Sequence, residues 1–130
     1  VGRLDEIGEN GIDLVKNIKA MYRNGDGHVY ALAASIRHLD HLLSSFALNA
    51  ELVTVPAKVL EKWAGSNFPM PDQAFTSKGI AADGQPLKPI PYKVLDLNLP
   101  WQSFDIAHQL TTKGIQKFVA DYRSTVKRSA

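Results

Sequence analysis

Residues 29–39 read Val29-Tyr30-Ala31-Leu32-Ala33-Ala34-Ser35-Ile36-Arg37-His38-Leu39, or VYALAASIRHL. The run from Val29 to Ala34 carries no polar alternation, which suits a parallel strand covered on both faces. A serine and an arginine then appear where a helix begins, since Leu39, Leu42, Leu43 and Phe46 lay an apolar stripe along a helix from about Ile36 to Leu48. The fold is decided here: a buried strand hands over to a helix through a hydroxyl and a guanidinium.

Upstream, Ile12, Val15, Ile18 and Tyr22 fall at helical spacing, and Asn24-Gly25-Asp26-Gly27 stops that helix. Downstream, Glu51-Leu52-Val53-Thr54-Val55 reads as a second strand. Pro56 can open a helix because its missing N–H is not needed there. In that helix Val59, Leu60 and Trp63 face inward, opposite Lys58 and Lys62. Residues 11–64 therefore alternate helix, strand, helix, strand, helix, an α/β pattern whose strand–helix–strand unit closes as a right-handed crossover.

After Trp63 the composition changes. Six of the seven prolines, from Pro69 to Pro100, lie between Gly65 and Trp101, which excludes long helices and central strands. Phe68, Phe75, Tyr92, Leu95, Leu97 and Trp101 occupy the same stretch and its flank, so it reads as an ordered excursion packed over a surface. Thr111 and Thr112 are placed to cap a final helix striped by Ile115, Phe118, Val119 and Tyr122. The division expected is 1–64 for the strands and helices, and 65–130 for a Pro-rich extension and terminal helix packed on the same domain.

A chain of 130 residues supports one ordinary domain. A formal charge of +2, from scattered basic residues, does not suggest nucleic acid as a partner. No apolar run is long enough to span a membrane, and the first residues lack the apolar core of a leader. The absence of cysteine excludes disulfides and thiolate chemistry, so a cytoplasmic setting is the expectation. Val1 is not a translation start, so the chain is expected to be either processed or a piece of something longer.

In parallel α/β folds ligands gather beyond the carboxyl ends of the strands, and Ser35 and Arg37 stand at such a point. There a phosphate would meet helix N–H groups, a hydroxyl and a fork of guanidinium donors. The plainer alternative makes Ser35 an ordinary cap and Arg37 a solvated side chain. His38 and His41 lie one turn apart, but beyond Asp40 no third ligand is evident, and histidines on an exposed helix face are common, so no metal site is expected. Asp5, Glu6 and Glu9, ahead of a helix, read as partners of its dipole. No serine-centred elbow, phosphate loop or calcium loop is present.

Three stretches together resemble the transaldolase family, including the fructose-6-phosphate aldolases: Val1-Gly2-Arg3-Leu4-Asp5, Leu32-Ala33-Ala34-Ser35-Ile36-Arg37 and Val53-Thr54-Val55-Pro56. The likeness covers about residues 1–64. The stretches Leu87 to Tyr92 and Trp101 to Ile106 look like an extension found in some transaldolase-like proteins. The resemblance implies the C-terminal portion of a (β/α)8 TIM barrel from a class I, metal-independent aldolase or transaldolase that works through a Schiff base without a cofactor. It implies a sugar phosphate substrate, gripped by Arg3, Ser35 and Arg37, and leaves homo-oligomers possible.

The family's essential lysine lies on a strand upstream of the first of these motifs, and neither strand here carries a lysine. A Schiff-base amine must attack uncharged, whereas Lys16, Lys19, Lys58 and Lys62 lie on polar helix faces. No catalytic nucleophile is therefore assigned, and the segment alone is expected to be inactive. A barrel takes eight strands in about 250 residues, so two strands need further chain or a partner to cover their edges. Two alternatives stay open: a half-barrel binding module without catalysis, and a different phosphate-binding barrel enzyme.

Overall fold

The computed structural model describes residues 1–23 and 27–127. The helix stop expected at Asn24-Gly25-Asp26 lies outside the described residues. The chain divides into two compact units, Val1–Val94 and Leu95–Ala130.

In the first unit the order is α1 (Gly2–Asp5), α2 (Gly11–Tyr22), β1 (Leu32–Ala33), α3 (Leu39–Ala47), β2 (Leu52–Val53) and α4 (Ala57–Gly65). The strands pair in parallel, Leu32 with Leu52 and Ala33 with Val53. Leu52 N–H donates to Ala31 O at 3.2 Å and Thr54 N–H to Ala33 O at 3.0 Å. On the far side of β1 the chain start runs alongside, the Val1 amine donating to Ala34 O at 2.8 Å and Gly2 N–H to Ser35 O at 2.9 Å. Val1, β1 and β2 thus lie side by side.

One face of this sheet is closed by helices. Val15, Ala33, Ile36, Leu42 and Val59 form its buried core, with Val53, Val55, Phe46 and Trp63 packed around them. Within this chain one face of the first strand is covered: Tyr30 and Leu32 are 64 % and 52 % exposed while Ala31 and Ala33 are buried. The apolar run hides a strand with one open face, because every residue on both faces is apolar and alternation of burial leaves no trace in the sequence.

The α3 helix also differs from expectation. Its buried residues are His41, Leu42, Ser44, Ser45 and Ala47, whereas Leu43 and Phe46 are half-buried. Small side chains let the helix approach closely, and Ser45 Oγ satisfies itself on His41 O at 2.7 Å. In α4, Val59 is buried as expected but Leu60 is 43 % exposed. Trp63 stands between Phe46 and Phe68, with both ring pairs edge-on.

Between Gly65 and Trp101 the described residues form only isolated bridges, as the prolines require. The stretch up to Val94 is ordered by contacts to α2 and the loop before it. Lys88 N–H donates to Gly8 O at 2.8 Å, and Asn10 N–H to Lys88 O at 2.9 Å. Ile90 N–H reaches Asp13 Oδ2 at 3.0 Å, and Asn17 Nδ2 returns to Ile90 O at 3.0 Å. Leu87 is buried beside these bonds.

In the second unit a 3₁₀ turn, Trp101–Ser103, precedes α5 (Gln109–Lys127). The helix starts two residues ahead of the expected threonine caps. His108 caps it instead, its Nδ1 accepting from Leu110 N–H at 3.2 Å and its carbonyl from Thr112 N–H at 3.1 Å. Ile115, Phe118, Val119 and Tyr122 share a face as predicted, and all four are exposed.

Candidate functional site

The carboxyl ends of the sheet bring together two loops, residues 1–6 and 34–37. Their closeness depends on Gly2. A side chain there would overlap Arg37 Cγ and its Cβ would stand 2.6 Å from Ser35 O, so only a hydrogen lets the backbone pass beneath the arginine. Gly11 plays the same part behind the loop, where a Cβ would stand 2.7 Å from the carbonyl carbon of Val1.

Ser35 was expected to cap the following helix, and this is corrected. Its φ is 58°, a left-handed turn that ends the strand and drops Ile36 into the core at 2 % exposure. The helix starts only at Leu39, with His38 before it making no side-chain cap. Arg37 consequently lies outside the helix, between the turn and the first helical residue. Its guanidinium meets Glu6 Oε1 at 2.7 Å in a pair whose side chains are 51 % and 60 % exposed. Arg3, on the short α1 helix, is exposed. The structure therefore joins the loop of Arg3 to the loop of Ser35 and Arg37, with Arg37 lying across Gly2, the neighbour of Arg3.

Behind these residues stand two side chains that were read otherwise from the sequence. His41, taken for a helix-surface histidine, is 2 % exposed. Its Nε2 sits 2.6 Å from Asp5 Oδ2, and its Nδ1 accepts the Arg37 backbone N–H at 3.3 Å. With Nδ1 accepting, the hydrogen bond assigns the proton of a neutral ring to Nε2, facing the carboxylate. The other oxygen of Asp5, Oδ1, accepts Gly11 N–H at 2.9 Å at the start of α2. Burial holds the His41 pKa down at about 4; the neighbouring His38, its ring centroid 3.6 Å away, adds to the effect, and Asp5 opposes it. The ring is thus uncharged at neutral pH. No local sequence signal announces this pairing, because Asp5 and His41 belong to different elements.

Asp5, His38 and His41 present ligand atoms within 4.8 Å of one another, so the third potential metal ligand is Asp5 rather than Asp40. Two ligand atoms of a tetrahedral zinc site lie about 3.3 Å apart, wider than the 2.6 Å between Nε2 and Oδ2. Both nitrogens of His41 are already engaged. The arrangement suits a proton between the two groups better than an ion.

The large cleft of this unit, of about 730 Å³, lies at the opposite, amino ends of the strands, lined by Lys16, Lys19, Arg23, Tyr30 and Glu51 among others. It contains none of Arg3, Ser35 and Arg37. Lys19 pairs with Glu51 there, and together with the Ala31 backbone N–H it holds the Glu51 carboxyl down at about 2. No helix among the described residues is long and apolar enough to cross a membrane.

Comparison with known proteins places the chain in a family. Residues 1–129 match the family described as Transaldolase/Fructose-6-phosphate aldolase. A probable transaldolase of Caldicellulosiruptor saccharolyticus is 44 % identical over 81 residues, covering 62 % of this chain and 34 % of that protein. One from Anaeromyxobacter sp. is 29 % identical over 128 residues, 98 % of this chain and 40 % of that protein. One from Ruegeria sp. is 34 % identical over 95 residues, 73 % of this chain and 41 % of that protein. The matches span between 28 % and 41 % of the length of these relatives and others like them. No solved structure matches. By its match over nearly every residue, and by its likeness to these enzymes, the chain belongs to the transaldolase/fructose-6-phosphate aldolase family, whose fold is the (β/α)8 barrel.

Proposed function

We propose that this chain is the C-terminal portion of a barrel enzyme that cleaves or transfers a ketose phosphate through a Schiff base. On this reading Arg3, Ser35 and Arg37 hold the substrate phosphate. The observation that carries it is the approach of the two loops over Gly2, at the end of the sheet where barrel enzymes collect their ligands. Arg37 already holds an anionic oxygen of Glu6, in a pair exposed enough for a phosphate to displace the carboxylate. Arg3 supplies a second, exposed cation on the adjoining loop.

The chain brings no nucleophile to this site. Lys16, Lys58 and Lys62 are exposed on helices and Lys19 is bound to Glu51, so none stands in the desolvated site a Schiff-base amine needs. The Schiff-base lysine belongs to the remainder of the barrel, and this segment alone has no turnover. The open face of the sheet, with Leu32 and Leu52 about half exposed, supports a place for the remainder of a barrel packed over it.

The test is Arg37→Ala in the full-length protein. Losing a charge-assisted hydrogen bond costs about 1.5–3 kcal/mol, so KM for a phosphorylated substrate rises about ten-fold or more. An unchanged KM removes Arg37 from the site.

A further inference from the structure

We propose that Asp5 and His41 are positioning residues for the phosphate grip, a buried relay that fixes the backbone of Arg37 against the helix that carries Arg3. The inference rests on the phosphate reading above and goes beyond it, because neither residue touches the substrate.

The need for such a device follows from the local structure. Arg37 sits between a left-handed turn and the first helical residue, so no helix or strand ladder holds its peptide. Its side chain is 51 % exposed, and its polar partner among the described residues is Glu6 in an exposed ion pair, an interaction worth about 0–1 kcal/mol. Arg3 rides on a helix of four residues, far below the length at which a helix persists unaided. Two cations on such weak supports cannot by themselves keep the separation that a dianion requires.

The relay supplies what is missing. Asp5 closes α1, two residues after Arg3, and is tied through Oδ1 to the first N–H of α2 at 2.9 Å. Through Oδ2 it meets His41 Nε2 at 2.6 Å, and His41 Nδ1 takes the Arg37 N–H at 3.3 Å. The side chains of His41 and Asp5 are 3 % and 10 % exposed, and the 2.6 Å between Nε2 and Oδ2 leaves no room for water between them. Each atom in the chain has one role. The carboxylate can only accept, which sets the proton on Nε2 and leaves Nδ1 free to accept from Arg37. Aspartate to asparagine breaks this order: an amide turned to satisfy the imidazole loses the Gly11 N–H, and turned the other way offers a donor to Nε2.

The experiment uses the full-length protein and inorganic phosphate as a competitive inhibitor, with Asp5→Asn, His41→Gln and Arg37→Ala compared at a temperature where all are folded. Asp5→Asn and His41→Gln are expected to raise the phosphate inhibition constant and the KM of a phosphorylated substrate about five-fold, with kcat within about two-fold. A purely structural pair would lower the active fraction, hence kcat, and leave KM alone; that result overturns the proposal. If Arg37→Ala weakens phosphate inhibition while the other two do not, the positioning role fails and the phosphate reading stands. If Arg37→Ala has no effect either, the phosphate reading itself fails. Should a variant not fold, the wild-type protein decides by ¹⁵N NMR of its histidines: a His41 protonated on Nε2 is expected, and one protonated on Nδ1 refutes the relay.

Discussion

Replacing Gly2 by alanine tests the fold and the site with one methyl group. The new Cβ would overlap Arg37 Cγ, stand 2.9 Å from Arg37 Nε and 2.6 Å from the Ser35 carbonyl oxygen. The arginine can swing away, but the carbonyl belongs to the strand end and already accepts the Gly2 N–H. Overpacking of this kind costs about 1–3 kcal/mol. Alanine's better helix propensity returns less than about 1 kcal/mol, and less again in a helix of four residues. The net expectation is a loss of about 1–2 kcal/mol. In a protein of barrel size each kcal/mol lowers Tm by about 2–4 °C. Displacing Arg37 should also raise KM for a phosphorylated substrate several-fold. Gly65→Ala is the control, since Gly65 ends α4 and a Cβ there meets nothing within 4 Å; it should be neutral or stabilising by up to about 1 kcal/mol. Urea midpoints and steady-state kinetics on both variants give the answer. A Gly2→Ala protein as stable as Gly65→Ala, with KM unchanged, refutes the close approach of the two loops.

His41 provides a pH test. Its pKa falls from 6.5 unfolded to about 4 folded, so the unfolded chain binds the proton first and stability rises with pH between those values, fully present above 6.5 and lost as pH falls toward 4. The contribution is about 3 kcal/mol; urea midpoints should slope upward over that window in the wild type, and a His41→Gln variant with the same slope would rule the assignment out. Glu6→Gln removes the carboxylate that competes for Arg37. As the pair is exposed, stability should change by less than about 1 kcal/mol, while KM for a phosphorylated substrate falls by up to about five-fold; a rise in KM would mean that Glu6 assists binding.

The order of elements from residue 11 to residue 65 was legible because apolar spacing reports secondary structure directly. The exposure of Leu32 was not, since a strand apolar on both faces looks alike whether one face or both are covered. Ser35 misled for a related reason: a serine ahead of a helical stripe is the usual cap, and nothing in the sequence revealed a left-handed turn there. Thr111 and Thr112 failed as caps because they lie inside α5, and His108 ahead of it offers both its ring nitrogen and its carbonyl. At the site, the strand-end position of Arg37 and the motif holding Arg3 could be read. The link between Asp5 and His41 could not, because it joins residues 36 positions apart through a fold that only packing defines.

The bonds from residues 88–90 to Gly8, Asn10, Asp13 and Asn17 have a consequence for anyone trimming this protein. A chain cut before Lys88 would keep β1 and β2, yet lose the outer clasp from the turn that leads out of Arg3's helix. The carbonyl of Gly8 and the carboxylate of Asp13 would then face water, and the turn behind Gly2 and Arg3 would lose its outer hydrogen bonds. The proline-rich stretch is thereby a buttress, and deleting it would be felt some eighty residues upstream.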